Sequence, residues 1–138
     1  MPVITLEQYF GAKLHTNDHE LSAMVLLARV ENLLAEARLA GAYYDWIDTD
    51  TGCTISGSKG GSGDGGFRGP DSKTGARRSA HREAKAVDLY DPHGELDQWI
   101  TDECLAKHDL YREEPSATPG WCHLQVRPTA SGRRTFIP

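Results

Sequence analysis

Residues 17–41 set the first constraint on the fold. Apolar Met24, Leu27, Val30, Leu34 and Ala37 recur there at helical spacing, and Gly41 supplies a C-terminal stop. Asn17, followed three residues on by Glu20, makes a capping-box pattern at the start. An apolar stripe of this kind has to be buried, so this helix is the scaffold of the N-terminal half. A shorter helix precedes it, capped by Thr5, packing Leu6, Tyr9 and Phe10 and ending at Gly11. His15 and His19 stand four apart, but Asn17 places His15 ahead of the helix and no further ligand completes a set. They read as polar residues flanking the helix start.

The period then changes. Tyr43, Tyr44, Trp46 and Ile47 suit an extended segment or aromatic packing over a cleft. Val87, Leu89 and Tyr90 read as a strand, as do residues 121–126, and residues 133–137 add a short final strand. Between them, Asp91-Pro92-His93-Gly94 is a turn. Residues 95–108 are expected to form one helix burying Leu96, Trp99, Ile100 and Cys104, with His93 and His108 exposed at its ends, and residues 111–120 form a polar loop with Pro115 and Pro119. Helices first, then strands around one more helix, predict an α+β fold: residues 1–138 as a single domain, N-terminal helices packed on a small, mostly antiparallel sheet.

A chain of 138 residues accommodates one core without a second module. Its formal charge of −5, from 20 acidic and 15 basic residues, argues against a nucleic-acid surface. Cys53, Cys104 and Cys122 are odd in number and lack Cys-x-x-Cys spacing, so they read as reduced thiols rather than a disulfide framework. No apolar segment resembles an export signal or is long enough to span a membrane. Gly61-x-Gly63-x-x-Gly66 formally fits a dinucleotide fingerprint, yet Phe67-Arg68-Gly69-Pro70 follows it where a phosphate cradle requires a helix. The glycine- and serine-rich residues 56–66 read instead as a mobile loop beside a site.

The chemistry-bearing stretch is residues 79–88, where His81 stands seven positions before Asp88. Two ligands of one metal lie a few ångströms apart, whereas seven helical residues rise roughly 10 Å. Both reach one ion only if the chain folds back between them. A third ligand is His123: apolar Cys122, Leu124 and Val126 alternate with His123, Gln125 and Arg127, which turns His123 away from the apolar side of a half-buried strand. Two histidines, one carboxylate and an open fourth position make a catalytic rather than a structural zinc set. Singly, each residue would pass for a surface histidine or a turn aspartate.

Taken in order, Gly66-Phe67-Arg68, Ser79-x-His81 with Ala86-x-Asp88, and Trp121-x-His123 resemble the zinc D-Ala-D-Ala carboxypeptidase family in its small phage and prophage branch. The resemblance covers about residues 66–138. Two departures stand out: Ala84, where the family usually has glycine, and Gly120, where many members carry the catalytic acid three positions before the last histidine. The resemblance implies the α+β architecture above and a Zn2+ ion held by His81, Asp88 and His123. It also implies that Arg68 holds a substrate carboxylate or stabilises charge at the scissile carbonyl, and that Ser79 hydrogen-bonds either substrate or the residues that hold the metal. The implied substrate is a peptidoglycan peptide, cut by a D-Ala-D-Ala carboxypeptidase or related endopeptidase. A monomer without nucleic-acid or membrane partners is expected, cytoplasmic on synthesis and carried in a virion or released at lysis.

With Gly120 unable to act, the expected general base is Glu114. It precedes Pro115, which limits how the chain leaves it, and it is nearer the His123 strand than Glu113. Two other readings stand beside the enzyme: a phage structural or assembly protein that keeps the fold without catalysis, and a zinc-stabilised binding module.

Overall fold

Helix α1 (Leu6–Phe10) and the long α2 (Asn17–Leu39) are followed by a 3-10 turn at Ala80–Glu83 and then strand β1 (Ala86–Tyr90). Helices α3 (Glu95–Trp99) and α4 (Asp102–His108), then strands β2 (Tyr111–Glu113), β3 (Trp121–Gln125) and β4 (Thr135–Phe136), complete the chain. The structure, a computed structural model, describes residues 4–57, 65–69, 72 and 79–138. Most of the glycine-rich loop expected at residues 56–66 lies outside them.

The α+β expectation holds: helices pack on a four-stranded sheet of order β1-β3-β2-β4. β1 and β2 both run antiparallel to β3, and only β2 with β4 is parallel. The outer edge of β1 is covered rather than open. Ser56 N–H donates to Asp88 O at 2.8 Å, Asp88 N–H to Gly65 O at 2.7 Å and Tyr90 N–H to Thr54 O at 2.7 Å.

Helix α2 is capped by Thr16 rather than Asn17. Thr16 Oγ1 accepts from His19 N–H, and the His19 ring accepts in return from Thr16 N–H. This box uses histidine where the sequence offered Glu20, because the cap hydroxyl sits one residue earlier. The buried face is Ala23, Leu26, Val30, Leu33, Leu34 and Ala37, while Met24 is half exposed. Apolar residues occupy nearly every position from Leu21 to Ala28, so spacing alone allowed two phases, and packing chose the earlier one.

Three further expectations are corrected. Residues 95–108 form two helices, because Ile100 is extended and Thr101 starts a new cap, its hydroxyl accepting from Cys104 N–H. Tyr111–Glu113 in the expected loop is a strand, recruited by Leu124 and Gln125 on one side and Thr135 and Phe136 on the other. Residues 43–47 make no strand: Asp45 adopts a positive φ, and only Asp48 bridges to Cys53. His93 is exposed as expected. His108 is not; its side chain is 10 % exposed, tucked against Glu36.

One core joins the layers, with Leu26, Leu33 and Leu34 of α2 meeting Val87, Leu89, Cys122 and Leu124 on the inner face of the sheet. Tyr9 ties α1 to the sheet through a hydrogen bond from its hydroxyl to Ala86 O at 2.7 Å. The opposite face of the sheet is left for Asp88, His123 and Glu113.

Candidate metal centre

His81, Asp88 and His123 meet. Each offers a ligand atom, all three within 4.8 Å of one another, and all three side chains are buried. Local structure explains how residues seven apart converge. Ser79 caps the 3-10 turn by accepting from His81 N–H, and Ala84 reverses the chain in a left-handed conformation (φ 57°, ψ 37°), so that β1 returns antiparallel beside β3. Asp88 and His123 then stand directly opposite in the register. Ala84 does the work of a glycine there, at a steric cost of about 1 kcal/mol.

The outer partners fix which nitrogens face inward. His81 Nδ1 donates to Gly66 O at 2.9 Å, leaving Nε2, 3.3 Å from Asp88 Oδ1, as the inward lone pair. Gln125 Nε2 donates to Arg127 O at 2.7 Å, which turns Gln125 Oε1 toward His123 Nε2, also 2.7 Å away. His123 Nε2 is therefore a donor, and its Nδ1 faces Asp88 Oδ1 at 2.8 Å. Both imidazoles are oriented by hydrogen bonds behind them, as metal-ligating histidines usually are.

Electrostatics match the geometry. Burial pushes the Asp88 carboxyl up, but His81 and His123 facing it hold it well below the usual carboxylate range. Burial also pulls both imidazoles down. For His81 it prevails, leaving the ring neutral; for His123 the contact with Asp88 outweighs it and raises the ring. His123 Nδ1 and Asp88 Oδ1 thus face each other across the space that a cation would occupy. Ligand atoms bonded at 2.0–2.2 Å in a tetrahedral arrangement lie roughly 3.3 Å apart, close to the spacings found here. The donor set fits a metal ion.

No protein-family profile, curated protein or solved structure matches this chain. Assignment of its chemistry therefore rests on the site itself.

The three residues form the floor of an open cleft of about 650 Å³. Arg68 and Ser79 line it. Arg68 is buried, its Nη2 3.6 Å from Asp88 Oδ2 and its Nη1 donating to Ser79 Oγ at 3.4 Å. Trp121, Phe136 and Ile137 supply apolar wall.

Glu114 is not part of this site. It caps the 3-10 turn Pro115–Ala117, its carboxylate accepting from both the backbone and the hydroxyl of Ser116, and those bonds lower its pKa. A carboxylate so engaged makes a poor base, and it does not line the cleft. Its neighbour does: Glu113 Oε1 lies 3.8 Å from His123 Nδ1 on the ligand face of the sheet. Strand alternation decides between the two, because successive side chains point to opposite faces. Gly120 turns the chain into β3 with φ +92°, a conformation that other residues rarely adopt. Glu113 was weighed from sequence and passed over for Glu114, and Gln125 was missed as a site residue. Gln125 was legible, standing two after His123 on one strand face, whereas a three-residue strand leaves no readable period.

Proposed function

We propose that this protein is a zinc-dependent peptidase acting on peptide bonds of bacterial cell-wall peptidoglycan. The observation that carries the reading is a buried His81–Asp88–His123 set, oriented from behind, at the floor of an open cleft with a carboxylate beside it. Zinc suits two neutral imidazoles and a carboxylate, and bound there it would supply a Lewis acid that polarises a carbonyl and acidifies water. Glu113 Oε1 takes the proton from the attacking water and returns it to the leaving amine, the role for which Gly120 has no side chain. Arg68 contributes a permanently charged fork toward a substrate carboxylate or the developing oxyanion, with Ser79 aligning it. The apolar wall from Trp121 and Phe136 excludes water around the bond being cut. The identity of the substrate rests on the order of the three sequence motifs.

Two measurements test this together. Elemental analysis of wild type should give about one zinc per chain from this site, lost in His81→Ala. Near-zero zinc in both would remove the ligand assignment. Release of peptide fragments or D-alanine from purified peptidoglycan should accompany the zinc. A zinc-loaded protein that cuts nothing would favour the second reading, a phage structural or assembly protein, which the glycine at position 120 supports.

A further inference from the structure

Away from the cleft, a second group of unlike metal donors converges where α2 meets α4. Cys104 and His108 stand four apart on α4 and so share one helix face, and Glu36 reaches them from α2. Ligand atoms of the three lie within 4.8 Å of one another. Cys104 is a free thiol, only partly buried and therefore accessible.

His108 is the decisive member. Its side chain is 10 % exposed, and Nε2 is buried 3.3 Å from Glu36 Oε2 without the alignment for a hydrogen bond. Held to the Glu36 carboxylate only by this loosely aligned ion pair, the buried ring nitrogen would gain a better-directed partner from a metal ion bound between them. Thiolate, imidazole and carboxylate together are the donors of borderline-soft ions such as zinc and cobalt, and unsuited to magnesium or calcium.

We propose that Glu36, Cys104 and His108 form a second site for a divalent transition-metal ion, separate from the cleft and clasping α2 to α4. One competitor is present: Lys107 Nζ pairs with Glu36 Oε1. Lys107 is largely exposed, so its ammonium can be released to water when a cation arrives. The site leaves at least one coordination position open to solvent.

Cobalt titration of the intact wild-type protein tests this directly. The cleft ligands include no sulfur, so a thiolate-to-cobalt charge-transfer band in the ultraviolet reports only on a cysteine ligand. The band should appear on titration and vanish in Cys104→Ala and His108→Ala, while the band-free cleft site is unaffected. Lys107→Ala should tighten the cobalt responsible for the band by about 2–5-fold, the reverse of what losing a purely structural ion pair would do. Absence of the band in wild type overturns the site, as does its persistence in Cys104→Ala. Because the readout is spectroscopic and the cysteine is remote from the cleft, either result stands whether or not the protein cuts peptidoglycan.

Discussion

At the level of single residues, adjacent side chains have opposite roles because a strand alternates. Glu113 faces the ligands and Glu114 caps a turn. Glu113→Gln should keep both fold and metal while losing about 10²–10⁴-fold in hydrolytic rate, and Glu114→Gln should stay active. Steady-state rates on a peptidoglycan peptide, with metal content measured in parallel, check both. Ala84 gives a second residue-level case. Replacing it with glycine relieves about 1 kcal/mol of left-handed strain but removes a fully buried methyl worth about 0.8 kcal/mol, so urea unfolding of Ala84→Gly should shift by less than about 0.5 kcal/mol.

Among the elements, helix α1 and the segment at Gly65 and Gly66 act as a brace behind the ligands. A Cβ on Gly66 would lie 2.5 Å from Tyr9 O, which is backbone and cannot swing away. The carbonyl of Gly66 is also what holds His81 Nδ1. Gly66→Ala should therefore cost about 1–3 kcal/mol in stability and weaken metal binding by about 10–100-fold. A Cβ on Gly69 would meet nothing within 4 Å, so Gly69→Ala should do neither. Thermal unfolding and calorimetric metal titration of the pair separate a brace from a merely sensitive loop. The break between α3 and α4 has a similar local cause: Thr101 caps α4, and Thr101→Ala should cost about 1 kcal/mol, read as a lowered unfolding midpoint.

For the whole molecule, the buried charges predict how stability responds to pH in the metal-stripped protein. Asp88 is held below its unfolded value, so it stabilises above about pH 4 and that contribution is lost as pH falls further. His81, lowered mainly by burial, contributes above its unfolded value and loses that as pH falls below about 6.5. His123 has the opposite sign: burial opposes but Asp88 raises it, so its contribution is present at low pH and fades as pH rises through its folded value. The two windows lie on opposite sides of about pH 6.5, so the histidines together favour stability near that pH and their contributions fall away on either side, with the loss from Asp88 added in acid. Urea unfolding of metal-free protein should show greatest stability near about pH 6.5 and weaken steeply below about pH 4, and Asp88→Asn should flatten that acid limb. Among the described residues no helix is long and apolar enough to cross a membrane.

The sequence by itself determined the α+β class, the short helix capped by Thr5 and ended by Gly11, the long α2, and the trio His81, Asp88 and His123. Those features are written in local patterns: cap residues, helical spacing, strand alternation, and a polar residue type at a position that must turn away from the core. Tertiary structure alone decided the rest. Which face of α2 is buried depended on the sheet beneath it, and Tyr111–Glu113 became a strand because two neighbours supplied hydrogen bonds that its own three residues cannot signal. That strand, in turn, is what turned Glu113 rather than Glu114 toward the ligands. The meeting of Glu36 with Cys104 and His108 depends on how α2 crosses α4, a contact across some 70 residues of chain that no local pattern records.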